Sequence, residues 1–368
     1  MGGMESGAHS YTVGKRKRRL TFNILEILGM EDGMGQDIDF VVTWVDGSDK
    51  EWREEKARYS GHGAIDDNEE RYRDWGLFRY WFRGVEQFAP WVRKVHLVTW
   101  GHLPDWLNTD NPKLHIVRHE DYIPKEFLPT FNSNVLELYL HDIPGLSEQF
   151  VYFNDDVYLI KPVKKEDFFR EGKPCDMLAL QPVVANPSNP VMSHIYLNNN
   201  LVLSKYFDKR ENMKAQIGKY FKLGYPPLYF FYNILELTFP LFTGFYTVHG
   251  PASFCKETFE ELWEMEGELF CELSQERFRS GKDVSQYLFR EWQKLKGNFV
   301  PLNVKKMFRY YDVKEENGDL ARILTEKKKK FICINDGRIQ GNADRIQEEL
   351  TKAFDQLLPK WSSFESVY

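Results

Sequence analysis

The sequence predicts an α/β fold with a mostly parallel central sheet and flanking helices. Two observations predict it. Short apolar, β-branched runs alternate with amphipathic stretches between residues 38 and 160, and three apolar runs along the chain end directly in Asp or Asn. Strand–helix–strand alternation favours parallel pairing, because a crossover helix returns the chain to the same edge of the sheet. The 368 residues suffice for one large domain or for a domain with an insertion.

The individual elements follow from these patterns. Residues 38–45 predict a buried strand, because they are apolar and β-branched and stop at Asp46-Gly47. Residues 75–89 predict an amphipathic helix that Pro90 ends, because their apolar side chains recur at helical spacing. The other predicted elements are a helix beginning within 50–60, strands at 95–99, 114–118, 149–153 and 331–334, and helices at 132–141, 254–270, 283–296 and 343–358.

Composition divides the chain into three parts. Residues 1–36 predict a flexible or basic N-terminal lead, and no small-residue cleavage site follows the basic run at 15–19, which argues against a signal peptide. Residues 37–185 and 244–368 are expected to form the main α/β domain. Residues 186–243 are rich first in Asn and Pro and then in aromatic side chains, which predicts a mainly helical insertion.

Residues 225–246 are long and apolar, but Pro226, Pro227, Glu236 and Pro240 interrupt them. A spanning helix needs about 20 predominantly apolar residues. A buried helix is therefore favoured over an interfacial contact with a membrane, and a transmembrane span is the least favoured alternative.

Bulk composition excludes some functions. The net charge of −6 argues against broad nucleic-acid binding. The four Cys residues have no CxxC spacing, so a structural zinc site or a disulfide framework is not expected and a reducing compartment is favoured. Aromatic residues make up 15% of the chain, which by itself favours a large aromatic core over a platform for sugars or bases.

Acidic side chains follow the predicted strands at their carboxyl ends. Asp155 and Asp156 come after the strand at 149–153, and Asp336 comes after the strand at 331–334. Carboxylate oxygens are the ligands that Mg²⁺ and Mn²⁺ take in proteins, and such an ion bridges diphosphate oxygens. The alternative for the pair is a turn that merely caps the strand, and the residues alone leave both open.

Several other side chains suit phosphate chemistry. Asp46 follows the first strand, where Gly47 allows close approach of a ligand, although a plain Asp-Gly turn explains both. His249 lies in a His-Gly-Pro turn, where it is either a general base or a structural residue. Candidate phosphate-binding side chains are Arg71, Arg73, Arg79, Arg83 and Arg279, of which at least two among the first four are expected to be ordinary surface charges; Asp283 is expected to hold an Arg or to cap the next helix.

Taken together, these blocks resemble the Stealth family of sugar-1-phosphate transferases. The first motif is Asp39-Phe-Val-Val-Thr-Trp-Val-Asp-Gly-Ser-Asp49. The second runs from Arg71-Tyr-Arg-Asp74 to Tyr152-Phe-Asn-Asp-Asp156, the third comprises His249 and Phe278-Arg279-Ser280 with Asp283, and the fourth is Ile332-Cys-Ile-Asn-Asp336. The resemblance covers residues 37–360 in the family order. It departs at residues 186–243, where acceptor recognition or a membrane-proximal surface is expected, and at Trp75-Gly76.

The resemblance implies a nucleotide-sugar transferase-like fold and a specific reaction. A UDP-sugar donor, UDP-GlcNAc or another UDP-hexose, gives its sugar-1-phosphate to a hydroxyl of a glycan or lipid-linked oligosaccharide acceptor, and UMP leaves. His249 is the preferred general base and Asp46 its rival, with Arg279 as the third catalytic residue. Asp155, Asp156 and Asp336 are expected to hold Mg²⁺ or Mn²⁺. Donor binding is expected from Thr43, Trp44, Gly47, Arg71, Arg79, Arg83, Asn132, Ser133 and Asp283.

The resemblance also implies a setting and leaves alternatives. Capsule or cell-surface polysaccharide synthesis is the expected process, in the bacterial cytoplasm and peripheral to the inner face of the cytoplasmic membrane. No nucleic-acid partner is expected. The alternatives are a metal-dependent glycosyltransferase that forms a glycosidic bond and a non-catalytic glycan-binding protein.

Overall fold

Residues Asp37–Tyr368 form one compact unit. The structure is a computed structural model that describes residues 37–60, 74–326, 329–336, 339 and 341–366. The predicted lead at 1–36, the basic run at 15–19, and Arg71 and Arg73 lie outside the described residues.

The described residues contain strands and helices in alternation. The strands are β1 (Ile38–Trp44), β2 (Val95–Thr99), β3 (Leu114–Arg118), β4 (Gln149–Asn154), β5 (Val157–Leu159), β6 (Phe169–Arg170), β7 (Lys173–Asp176), β8 (Ala252–Cys255), β9 (Val300–Pro301), β10 (Phe308–Asp312) and β11 (Phe331–Asn335). The α-helices are α1 (Lys50–Tyr59), α2 (Phe78–Phe88), α3 (Ser133–Leu138), α4 (Pro190–Tyr206), α5 (Lys209–Ala215), α6 (Ile217–Tyr220), α7 (Pro227–Glu236), α8 (Lys256–Ser274), α9 (Gln286–Leu295), α10 (Val304–Met307), α11 (Leu320–Thr325) and α12 (Ala343–Leu357). Short 3₁₀ turns lie at His119–Asp121, Lys125–Phe127, Leu140–Asp142 and Lys165–Asp167.

The central sheet has the strand order β3-β2-β1-β4-β8. The first four strands are parallel, and β8 joins β4 antiparallel. The predicted fold class, an α/β protein with a mostly parallel sheet and flanking helices, is thereby confirmed. In this register Thr43 of β1 pairs with Asn154 of β4, so the polar residues that follow the two strands emerge at one edge.

A core layer covers each face of this sheet. Along β1, Phe40 and Val42 pack into the layer that contains α2 and α12, whereas Val41 packs into the layer that contains α8 and α9. Alternate residues of a strand point to opposite faces, so an uninterrupted apolar run is what a strand buried on both sides requires.

A second, three-stranded sheet lies next to the carboxyl end of β4. Its order is β10-β11-β5, with β11 parallel to β10 and antiparallel to β5. Since β5 follows β4 after a two-residue turn, the second sheet brings the end of β11 close to the end of β4. None of the short strands β5 to β10 was predicted, and all of them except β10 have four residues or fewer, which carry too little periodicity to be recognised.

Residues 186–243 contain the four helices α4 to α7. Within the part of the chain that the structure describes, no helix is both long and apolar enough to span a membrane.

Candidate active site

A cleft of about 1010 Å³ opens at the carboxyl edge of the central sheet. Separate stretches of the chain converge on it, as expected for an open α/β sheet that binds a ligand beyond its strand ends. The lining includes Thr43, Trp44, Val45, Asp74, Ser133, Glu137, Asn154, Asp155, Asp156, Asn189, Met192, His249, Arg279, Tyr287, Tyr310 and Asp336. Among the described residues, the cleft therefore brings together the predicted base, the predicted arginine and the predicted acidic residues.

The acidic turn joins β4 to β5. Asp155 and Asp156 occupy the turn, and the carbonyl of Asp156 accepts a hydrogen bond from the backbone N–H of Ile334 (2.8 Å), which fastens the turn to β11. Burial, and after it the nearby carboxylates of Asp156 and Asp74, raise the pKa of Asp155 to about 7. Carboxylates crowded in this way repel one another, and a bound cation relieves that repulsion.

Asp156 is the centre of a small cluster of donor atoms. Its Oδ2 accepts a hydrogen bond from Cys333 Sγ (3.2 Å) and lies 3.4 Å from His249 Nε2. Its Oδ1 is buried and has no hydrogen-bond partner among the described residues. One ligand atom each from Asp156, His249 and Cys333 lies within 4.8 Å of the others, so the three residues are able to hold a metal ion.

His249 is held at both ring nitrogens. Nδ1 lies 3.0 Å from the Tyr287 hydroxyl, and Nε2 lies 3.3 Å from Asn154 Nδ2. Burial lowers the pKa of His249, but the hydrogen bond and the charge of Asp156 outweigh burial, so the pKa is raised overall. An imidazole ordinarily titrates near neutral pH, which makes His249 a candidate to receive a proton in this cleft.

Arg279 contacts Ser133 at the start of α3. Its Nε donates to Ser133 Oγ (3.1 Å), and its Nη2 donates to the same hydroxyl oxygen. Glu137, one helical turn further along α3, is buried and accepts from the backbone N–H of Gln286 (2.9 Å). Burial raises the pKa of Glu137, whereas the backbone hydrogen bond and the charge of Arg279 lower it, and the net direction is upward. A buried acid therefore lies near the arginine in this cleft.

Sequence reasoning missed Glu137, Tyr287 and Cys333. Glu137 follows Ser133 at i,i+4 on one helix face, and this spacing was a usable signal. Cys333 points toward Asp156 from inside an apolar strand, and nothing in the local sequence distinguishes it from an ordinary core cysteine.

Only part of the segment at the end of β1 lines the cleft. Thr43 and Trp44 line it, and Trp44 stacks on Phe78 at 5.4 Å between ring centroids. Asp46 instead accepts from the backbone N–H of Ser48 (2.8 Å) and from its hydroxyl (2.7 Å). Asp46 and Gly47 are not part of the lining, and these contacts are those of a plain Asp-Gly turn, so the base role of Asp46 stays a prediction that the cleft geometry does not favour.

Arg83 is likewise not in the cleft. Its Nη2 lies 2.8 Å from Glu365 Oε2, with the two side chains 4% and 1% exposed. Its Nη1 donates to the carbonyl of Leu358 (2.9 Å). Arg79 is also absent from the lining, and its guanidinium lies over the Trp106 ring at 5.5 Å. These contacts join parts of the fold to one another, so the geometry does not favour the predicted donor contacts of Arg79 and Arg83, which stay predictions.

Asn132 and Asp283 support the cleft from behind. Asn132 is fully buried, caps α3 by accepting from Asn134 N (3.0 Å), and donates to Asp283 Oδ2 (2.9 Å). Asp283 is also buried and accepts from the Ser280 hydroxyl (2.9 Å). Neither lines the cleft, so direct donor binding by them stays a prediction that this geometry does not favour. They hold the loop that carries Arg279 against the helix that carries Ser133.

Comparison with known proteins identifies the family. The models of two family regions match the chain: Stealth protein conserved region 1 at residues 36–64 and Stealth protein conserved region 2 at residues 71–176. The capsular polysaccharide phosphotransferase WcwK of Streptococcus pneumoniae is 40% identical over 333 residues, which cover 90% of this chain and 98% of that protein. The chain belongs to the Stealth family.

A second phosphotransferase among the relatives of this Stealth protein agrees. The receptor polysaccharide phosphotransferase WefC of Streptococcus gordonii is 38% identical over 339 residues, which cover 90% of this chain and 100% of that protein. Among solved structures, the galactosyltransferase LgtC with donor and acceptor sugar analogues matches with a TM-score of 0.37 and 11% identity, over 85% of this chain and 95% of that one. The predicted family is confirmed, and the Stealth chain is an enzyme, a phosphotransferase. The alternative of a non-catalytic glycan-binding protein is wrong.

Proposed function

We propose that the enzyme transfers a sugar-1-phosphate from a UDP-sugar, such as UDP-GlcNAc or another UDP-hexose, to a hydroxyl of a polysaccharide acceptor. The acceptor is a glycan or a lipid-linked oligosaccharide in capsule or cell-surface polysaccharide synthesis, in keeping with the names of the relatives. One observation carries the proposal: His249, Arg279 and the acidic turn at 154–156 line the same cleft.

The bond changes balance as follows. The acceptor oxygen forms a bond to the β-phosphorus of the donor, and the bond between that phosphorus and the oxygen that bridges to the α-phosphorus breaks. UMP leaves with the bridging oxygen, and the acceptor is joined to the sugar through a phosphodiester. The hydroxyl proton goes to a base in the cleft. Phosphoryl transfer of this kind depends chiefly on positioning and on neutralising charge.

His249 supplies the base. In the tautomer with its proton on Nδ1, that N–H donates to the Tyr287 hydroxyl (3.0 Å), and Asn154 Nδ2 donates to the lone pair of Nε2 (3.3 Å). Nε2 is then able to accept the proton of the acceptor hydroxyl. The Asp156 carboxylate, 3.4 Å away, stabilises the imidazolium that results.

The acidic residues fit a divalent cation. Asp156 offers a buried oxygen that has no hydrogen-bond partner among the described residues, and Asp155 has its pKa raised to about 7 by burial and by neighbouring carboxylates. Asp155, Asp156 and Asp336 would hold Mg²⁺ or Mn²⁺, which prefer oxygen ligands. When bound, such an ion supplies charge neutralisation for the diphosphate.

The remaining lining suits the donor. Arg279 carries a guanidinium that matches phosphate oxygens, and Ser133 already orients it. Thr43 and Trp44 provide a hydroxyl and an indole at the end of β1, where the donor is proposed to lie. The Thr43 hydroxyl is itself fixed by the Tyr152 hydroxyl at 3.1 Å.

We place the reaction in the bacterial cytoplasm, at the inner face of the membrane. All four cysteines are free thiols, which supports a reducing compartment.

Product analysis tests the proposal. The protein is incubated with a panel of UDP-sugars, a glycan acceptor and Mg²⁺, and nucleotides are separated while ³¹P NMR follows the product. UMP together with a phosphodiester is expected. UDP together with a glycosidic bond would instead establish the glycosyltransferase alternative.

A matched pair of variants links the reaction to the cleft. Asp156→Asn removes a charge from the acidic turn, whereas Asp110→Asn removes one that does not line the cleft. We expect the first to lose at least about a hundredfold in UMP release and the second to keep wild-type rates. Equal rates for both variants would contradict the proposed site.

A further inference from the structure

Helix α7 buries polar side chains and exposes apolar ones, the reverse of an ordinary surface helix. Its buried face carries Asn233 and Glu236, with the hydroxyl-bearing Tyr229. Asn233 Oδ1 accepts from Leu180 N (2.9 Å) and Asn233 Nδ2 donates to the carbonyl of Tyr220 (2.8 Å). The polar groups of this helix are thus satisfied inside the protein, where a water-exposed helix normally places its apolar side chains.

The outward side is apolar and continues past the helix. We call it the apolar ridge, and its members are each between 39% and 89% exposed: Leu223, Leu228, Phe231, Ile234, Leu235, Leu237, Phe239 and Leu241. Single exposed apolar residues are normal, but crowding of this kind within 223–241 marks a surface that binds something apolar.

The exposed lysines and carboxylates of the segment that carries the ridge have one sign. Between residues 212 and 250 the only carboxylate is Glu236, which is buried against Lys209 (2.6 Å). Lys214 and Lys222 are exposed on the chain that leads into the ridge.

A second segment adds to this positive rim. Lys305 lies beside α7, because its Nζ donates to the Tyr229 hydroxyl (2.9 Å), and Lys306 next to it is exposed. Asn303 Nδ2 donates to the carbonyl of Gly224 (2.6 Å), which fixes this segment against the start of the ridge. An apolar surface with a lysine rim is complementary to a bilayer whose headgroups are anionic.

We propose that the apolar ridge and its lysines are a docking surface for an anionic lipid bilayer. A second copy of the chain fits less well, since a symmetric dimer through the ridge would bring the same lysines of both copies together. Seven residues lie between Leu241 and His249, and the ring of Tyr246 among them packs on Tyr229 at 4.3 Å. Docking would therefore bring a bilayer toward the cleft, which, on the proposed function, suits a lipid-linked acceptor.

Vesicle co-sedimentation of the full chain, without substrates, tests the inference separately from the reaction. We expect binding to vesicles that contain phosphatidylglycerol and little binding to pure phosphatidylcholine vesicles. The double variant Leu228→Ser/Phe231→Ser should weaken binding at least about tenfold. The double variant Lys222→Gln/Lys306→Gln should weaken binding at low salt by about fivefold for each lysine that reaches the surface, or up to about 25-fold for both.

The matched control is Leu197→Ser/Leu201→Ser, which removes two exposed leucines from α4 and should leave binding unchanged. All variants should keep the wild-type thermal midpoint, because the substituted side chains are exposed. Wild-type binding by the Leu228/Phe231 variant, or no binding by the wild type, overturns the proposal. The proposal is also overturned if analytical sedimentation shows that the wild-type protein is a dimer that does not bind vesicles and that the Leu228/Phe231 variant is a monomer.

Discussion

His249→Gln gives the sharpest test of the proposed chemistry. Glutamine keeps a polar side chain of similar reach but cannot take up a proton. General base catalysis contributes about 10² to 10⁴ in rate, which is about 2.7 to 5.4 kcal/mol at 1.36 kcal/mol for each factor of ten. We therefore expect UMP release from the UDP-sugar to fall by at least about a hundredfold, with little change in the KM for the donor.

Tyr287 determines how the loss is interpreted. Its hydroxyl contacts His249 Nδ1 at 3.0 Å, so Tyr287→Phe removes one hydrogen bond that orients the imidazole. A neutral hydrogen bond is worth about 1 kcal/mol, which predicts a loss of about fivefold. In the double variant His249→Gln/Tyr287→Phe no further loss is expected, because Tyr287 acts through His249.

The assay measures initial rates of UMP release across pH 6 to 9, roughly the range in which a histidine base titrates. It is run on the wild type, the two single variants and the double variant, which together form a double-mutant cycle. Thermal unfolding confirms that each variant is folded. Turnover of His249→Gln within a few-fold of wild type would refute the assignment of the base. Fully additive losses in the double variant would refute the link through Tyr287.

Three further predictions follow from other parts of the structure. Treatment with EDTA should abolish turnover and Mg²⁺ or Mn²⁺ should restore it, whereas Asp155→Asn and Asp336→Asn should each require more metal for half-maximal rate; metal-independent turnover would contradict this. Arg83→Gln should lower the free energy of unfolding in urea by about 3–5 kcal/mol, because it leaves Glu365 charged and without its ion-pair partner in the interior. The donor KM should stay unchanged; a raised KM with unchanged stability would instead indicate that Arg83 binds the donor. Burial raises the pKa of Asp39, but hydrogen bonds from His96 and Arg93 outweigh it and the pKa lies below its ordinary value of 3.8. The stability contributed by Asp39 is therefore present above that ordinary value and is lost as pH falls through the lower folded pKa, so acid unfolding should be less steep in Asp39→Asn.

Local patterns were sufficient for the strands of the parallel sheet, for the longer helices and for the acidic turn. The strands at 95–99 and 114–118 agree with the structure to the residue, and the helix expected at 343–358 differs by one residue. These elements are predictable because burial on both faces of a strand, or on one face of a helix, produces a pattern of apolar residues that are close in sequence. The carboxylates after β4 and β11 were found for the same reason, since each directly follows its strand.

Which partner each side chain contacts depends on packing between segments that are distant in sequence. Arg83 and Arg279 look alike in sequence, yet Arg83 pairs with Glu365, 282 residues away, and Arg279 lines the cleft. Cys333 joins the Asp156 cluster only because β11 pairs with β5 in a second sheet.

The sequence by itself determined a parallel α/β sheet with carboxylates at its edge, and it named His249 as a candidate for proton transfer. The tertiary structure alone decided which arginine reaches the cleft, which acid and tyrosine accompany the histidine, and that α7 turns its apolar side outward. The physical reason is that periodicity reports whether a side chain is buried, whereas the identity of its partner is set by long-range packing, which neighbouring residues do not encode.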